Sequence, residues 1–176
     1  MVEELIPAKL GYGDVQRVLK ALLRDGVSVR NLPAILEVLA DNAGKQKDHE
    51  ALAELVRARL GRMLCEMHAD ADGVVHAVTL DPEIENRLAA AVNGSKDPDA
   101  APVSPAFLQQ LMEQTGSVVA QATKGGKNVV LLVRSNVRRF LNELARASLP
   151  KVAVLSYNEV VPARSVVTQA IVRMEE

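Results

Sequence analysis

Residues 129–157 read VVLLVRSNVRRFLNELARASLPKVAVLSY. The run VVLLV is short, continuous and apolar, as expected of a strand buried on both faces. Ser135 then stands as a helix cap. Val137, Phe140, Leu141 and Leu144 follow at helical spacing, and Pro150 stops the helix. VAVLSY is a second buried strand. Strand, helix, strand in immediate succession predicts a small open sheet with helices packed on it.

The same alternation extends in both directions. GVVHAVTL at 73–80 reads as a strand, with Asp81 capping a helix that has Pro82 in its first turn. Ile84, Leu88 and Val92 give that helix an apolar stripe. NGSKDPDAAPVS, 93–104, is the most linker-like stretch. Ser104-Pro105 repeats the cap-then-proline device ahead of Phe107, Leu108, Leu111 and Met112. NEVVPA turns, and SVVTQAIVRM reads as a final strand with apolar positions at Val167, Ala170 and Val172.

Upstream the pattern is helical only. Residues 1–13 are a lead-in broken by Pro7, Gly11 and Gly13. Asp14, as cap or first-turn acid, opens a helix carrying Val15, Val18, Leu19, Leu22 and Leu23, closed by Gly26. Asn31 caps a second helix with Leu32, Ile35, Leu36 and Leu39 inward. Asp48 starts a third, with Leu52, Leu55, Val56, Leu60, Met63, Leu64 and Met67 on one face and Arg57, Arg59 and Arg62 largely off it. Gly61 inside this helix costs about 1 kcal/mol against Ala. The expectation is an α+β or α/β chain: a helical subdomain over residues 1–70, then an α/β subdomain over 71–176.

Composition narrows the function. The 176 residues are 48% hydrophobic but only 2% aromatic, so the core is built from Val, Leu, Ile and Ala. Lys and Arg number 21 against 22 Asp and Glu, a net charge of −1. That balance argues against nucleic acid or an anionic membrane as partner. Without Trp, and with two Tyr and two Phe, a stacking platform for single strands is also excluded. The single Cys65 forms no internal disulfide. No apolar run approaches the ~18 residues of a membrane span, and the first residues lack the regions of a signal peptide. A soluble, intracellular protein is expected.

No constellation for catalysis is present. KGGK at 124–127 lacks the Ser/Thr of a phosphate loop, and a strand rather than a helix follows it. Cys65, His68 and His76 fall short of a structural zinc set. No G-x-S-x-G elbow occurs. Glu83 and Glu85 beside Asp81 read as first-turn helix acids. The first two helices could form a helix-turn-helix, but the second carries Glu37 and Asp41 and no Lys or Arg.

Four stretches resemble the C-terminal cytoplasmic portion of the FlhA/InvA/SctV export-gate family of type III secretion. They are DVQRVLKALLRDGVSVRNLPAILEVLAD (14–41); the set Lys47, Asp48, Leu52, Glu54, Val56, Arg57, Leu60, Gly61 and Arg62; VTLDPEIE (78–85); and VLSYNEVVP (154–162). They stand in the family's order, and they look more like the flagellar branch than the virulence branch. The resemblance implies the last two of four cytoplasmic subdomains, with Met1 beginning a fragment whose membrane half is absent. It implies a non-catalytic platform without cofactors, on the cytoplasmic side of the bacterial inner membrane. The implied partners are other copies in a nonameric ring, export chaperones, secreted substrates and ATPase-complex components. Glu54, Arg57, Arg59 and Arg62 are the implied ring-interface candidates. Tyr157, Asn158 and Glu159, at a strand's carboxyl end, are the docking candidates. Residues after 162 depart from the family's usual close. The alternative reading is a helix-turn-helix transcription regulator; a small nucleotide-binding enzyme is disfavoured because no glycine fingerprint follows a strand.

Overall fold

The computed structural model describes residues 10–94 and 103–174. The chain divides into two compact units, Met1–Leu64 and Cys65–Glu176. The division falls before the expected 70/71, because Cys65 and Ala69 already pack against the sheet of the second unit.

The first unit is helical: α1 (Tyr12–Arg24), α2 (Leu32–Asn42) and α3 (His49–Arg59). Asp14 lies in the first turn of α1, its carboxylate accepting the Gly11 amide at 2.9 Å. Asn31 Oδ1 accepts the Ala34 amide, and Asp48 Oδ1 accepts that of Glu50. Each satisfies one of the amides a helix start leaves without an internal partner. Gly26 takes φ +73, the left-handed conformation that ends α1 cheaply. Val18, Leu22, Ile35, Leu39, Leu52 and Val56 form the core. Leu23 and Leu32, expected inward, are exposed.

The expected third helix is two helices. Leu60 closes α3, and α4 (Gly61–His68) begins at the glycine. Glycine's poor helix propensity lets the axis break there. Leu55 and Met67 are outside and Arg57 is inside, the reverse of the sequence pattern; the inward face of α3 runs through Leu52, Ala53, Val56 and Arg57.

The second unit is a four-stranded parallel sheet in the order β3-β2-β1-β4. Its strands are β1 (Val74–Leu80), β2 (Val129–Val133), β3 (Val154–Ser156) and β4 (Ser165–Val172), joined with α5 (Pro82–Val92), α6 (Pro105–Ala122) and α7 (Ser135–Ser148). All three helices bury their stripes on one face: Leu88, Leu111 and Leu141 against Val78, Leu131, Val133, Val154 and Val172. On the opposite face Val75, Ala77, Val130, Leu132 and Leu155 are covered by Cys65 and Ala69 and by Val160 and Ala163 of the segment between β3 and β4. The linker-like stretch lies partly outside the described residues.

One local expectation changes, and another is explained. Ser135 does not cap α7; the cap position is Arg134, and its amide is bonded to the Glu85 carboxylate. The irregular apolar spacing of the last strand has a cause: the β1–β4 register shifts between Ala77 and Val78, leaving Gln169 as a bulge. The bulge keeps Val167, Ala170 and Val172 on one face, in register with His76, Val78 and Leu80, as their apolar spacing predicts, and Ala170 and Val172 pack with the helices.

His76 and Asp70 hold the start of this sheet. Gln169 Nε2 donates to His76 Nδ1 at 2.9 Å, so Nε2 carries the ring proton towards Asp70 Oδ2, 2.7 Å away. Asp70 Oδ1 also accepts the Asp72 and Val74 amides. These bonds, that from the Val74 amide first and His76 next, hold the Asp70 carboxyl below its ordinary value. A depressed folded value contributes stability that is present above roughly pH 4 and is lost as pH falls through the folded value. Asp70→Asn is expected to lower stability at pH 7 and to flatten the acid limb of thermal melts below pH 4. A limb unchanged in the variant would assign it to other carboxylates.

Candidate functional site

The arginines of the third expected helix separate on folding. Arg57 is buried at 3% exposure, its Nη1 3.8 Å from the equally buried Asp25 carboxylate at the end of α1. It is an interior residue of the helical unit, not part of a solvated charged face. Arg59 is exposed and pairs with Glu37 across 3.7 Å of open surface. Arg62, on α4, is exposed, and Glu54 is half-buried. Leu55 and Arg59, one turn apart on α3, therefore form its outward face, and Arg57 does not contribute to it.

The carboxyl end of the sheet carries the second group. Tyr157 follows β3, and its amide donates to the Val133 carbonyl at 3.1 Å, which sets the ring just beyond the end of β2. The residue as a whole is 43% exposed. Partial burial and the Glu85 charge raise its hydroxyl above the ordinary value, against a smaller opposite effect of Arg134. Asn158 is exposed. Glu159 is not: at 1% exposure its carboxylate accepts the Ser156 amide at 2.6 Å, and its carbonyl accepts the Cys65 thiol at 3.4 Å. Glu159 thus ties down the segment that covers the sheet and faces the interior rather than solvent. Burial pushes the Cys65 thiol up, helped by the Glu159 charge.

Sequence reading missed Glu85 and Arg134. Glu85 is buried on α5. One oxygen accepts the Arg134 amide at 2.9 Å, and the other lies 3.1 Å from Arg134 Nε. Arg134 Nη1 also donates to Asn86 Oδ1 at 2.6 Å. The signal was available: Glu85 stands three residues before Leu88, on the apolar stripe rather than opposite it. The first-turn position gave a sufficient but incomplete account of it.

Among the described residues, no group of three His, Cys, Asp or Glu side chains could hold a metal ion, and no helix is long and apolar enough to cross a membrane. His68 and His76 do not join Cys65 in a ligand set; the His76 ring bonds to Asp70 and Gln169.

The pattern that defines the FHIPEP family matches residues 1–165. The chain belongs to the FHIPEP family. It is 34% identical over 162 residues to the flagellar biosynthesis protein FlhA of Caulobacter vibrioides, covering 92% of this chain and 23% of that protein. Among solved structures it resembles the Shigella flexneri MxiA protein, at 30% identity and a TM-score of 0.80 over 97% of this chain and 54% of that one. It also resembles the nonameric EPEC SctV-C, at 26% identity and a TM-score of 0.83 over 97% of this chain and 51% of that one. The resemblance read from the four sequence stretches is therefore to the family the chain belongs to. Helices followed by a small sheet are the fold shared with these FHIPEP relatives. The chain spans about a quarter of the length of the FlhA protein and about half of the two solved chains.

The positions separate cleanly by mutation. Arg57→Glu places two carboxylates in one buried site and should cost about 3–5 kcal/mol. Arg59→Glu, at an exposed pair, should stay within about 0.5 kcal/mol of the parent. Denaturant titration of both variants measures this. In the second unit, Glu159→Ala leaves a buried amide without its acceptor and should cost about 2 kcal/mol, whereas Asn158→Ala should be close to neutral.

Proposed function

We propose that this chain is the ring-forming and docking end of a flagellar-type protein export gate, with its two compact units, which divide at Leu64/Cys65 rather than at the expected 70/71, as the third and fourth cytoplasmic subdomains. The observation that carries the reading is the match over residues 1–165, together with the fold held in common with a nonameric secretion-system domain. In this reading the chain is a non-catalytic platform. It works on the cytoplasmic side of the bacterial inner membrane within a longer membrane-anchored protein, and it needs no cofactor. Its partners are other copies in a nonameric ring, export chaperones, secreted substrates and components of the ATPase complex.

In this reading the work is divided among residues by their exposure. A ring contact on the helical unit uses what faces outward, Arg59 and Arg62 with Glu54 at the margin. Arg57 serves by keeping α3 in place. At the sheet's carboxyl end, Tyr157 and Asn158 are the docking residues. An amphipathic ring beside a short polar side chain suits intermittent protein contact. Glu159 and the Glu85–Arg134 pair hold the two positions still.

The test is made in the full-length protein in its bacterium. Arg59→Glu with Arg62→Glu should weaken ring assembly by about tenfold or more, since like charges brought together across an interface cost several kcal/mol, with melting unchanged. Tyr157→Ala with Asn158→Ala should reduce export of secreted substrates while rings still form. Normal rings and normal export in both variants would overturn the assignment of these surfaces.

A further inference from the structure

The two edges of the sheet are finished differently. β3 is three residues long, and the buried Arg138 guanidinium donates to its outward carbonyl at Val154. β4 runs for eight residues, Ser165–Val172, and carries no charge and no proline. Edge strands are ordinarily blunted by charges, proline, shortness or a cover, because their open amides and carbonyls template another strand. Of these devices β4 has the bulge at Gln169, whose side chain turns to His76. Val166, Val167 and Ile171 are all exposed. By register Val166, Thr168 and Ile171 share the face of Val75, Ala77 and Thr79, so an apolar stripe flanks the open edge. The Val172 carbonyl accepts the Asp81 amide on the β1 side. Strand alternation then points the Ile171 amide and carbonyl outward.

Charge brackets this edge. Arg164 immediately precedes β4 and is exposed; its Nη1 donates to the Asp72 carbonyl at 3.3 Å. Arg173 immediately follows β4, with its side chain 74% exposed and 3.9 Å from Asp81. Each guanidinium keeps further donors directed to solvent.

We propose that β4 is a strand-addition site for an extended segment of another protein, apolar at alternate positions and carrying a carboxylate at each end. Main-chain bonds along β4 supply affinity. The Val166–Ile171 stripe reads alternate side chains, and Arg164 and Arg173 set the register by pairing with the terminal acids. The inference rests on the edge itself and stands apart from the export-gate reading, which assigns other surfaces.

The experiment uses the 176-residue chain and two labelled peptides, Glu-Val-Thr-Val-Thr-Val-Thr-Glu and its counterpart with Lys at both ends, followed by fluorescence anisotropy. The acid-ended peptide should bind at least about tenfold more tightly than the lysine-ended one. Ile171→Pro removes one outward amide at an edge position where proline is tolerated, and should abolish binding while circular dichroism is unchanged. Arg164→Glu with Arg173→Glu is independent of any proline effect and should invert the peptide preference. Absence of binding, equal binding of both peptides, or a preference unmoved by the double reversal would each overturn the proposal. Self-association of the chain that Ile171→Pro removes, without peptide binding, would also overturn it, by assigning the edge to a second copy.

Discussion

A strand that is apolar on both faces has to be covered twice, and β2 imposes that requirement on everything around it. All five of its residues are buried. One face receives the stripes of α5, α6 and α7. The other receives the end of α4 and the short segment that returns from β3 to β4. That segment has too few residues for a covering helix, so it crosses as irregular chain with Val160 and Ala163 facing the sheet. Irregular chain lacks its own ladder of backbone bonds. Its polar groups must find partners singly. The Glu159 carboxylate on the Ser156 amide and the Cys65 thiol on the Glu159 carbonyl meet that need. Covering β2 thus decides that Glu159 is an interior residue and Asn158 a surface one.

Buried charge does a related task elsewhere. Arg57 with Asp25 joins α3 to the end of α1. Glu85 with Arg134 joins α5 to the start of α7. Arg138 finishes the β3 edge. Such groups are costly to bury and costlier to leave without a partner, so each constrains where two distant segments can lie. Among the charges left at the surface are Arg59 and Arg62 on the helical unit, and Arg164 and Arg173 at the two ends of β4. A charged face inferred from residue types alone mixes the two kinds, as the group Arg57, Arg59 and Arg62 did.

Element by element, local readings held where the deciding neighbours are close in sequence. Asn31, Asp48, Asp81 and Ser104 each bond an amide two or three residues ahead, and the residue types alone carry that geometry. VVLLV is a strand because no polar residue interrupts it to make an amphipathic helix, and GVVHAVTL, though it holds His76 and Thr79, is marked by its β-branched residues between Gly73 and Asp81-Pro82. The readings that moved depend on remote partners. Ser135 yielded the helix start to a position bonded by Glu85. Leu55 and Arg57 exchanged sides because the face of α3 that other helices cover runs through Leu52, Ala53, Val56 and Arg57. The last strand's uneven spacing needed a register against β1 before it made sense.

Family membership and the order of helices and strands were thus determined by the sequence itself: recurrent residue sets and near-neighbour capping are written along the chain. The tertiary structure alone decided which charges are interior, which side of α3 faces out, where β4 bulges, and that among the described residues β4 ends the sheet with an open edge. The physical reason is the same in each case. Burial, edge position and register are properties of what packs against a residue, and at Arg57, Glu85, Glu159 and Gln169 that partner lies on another element.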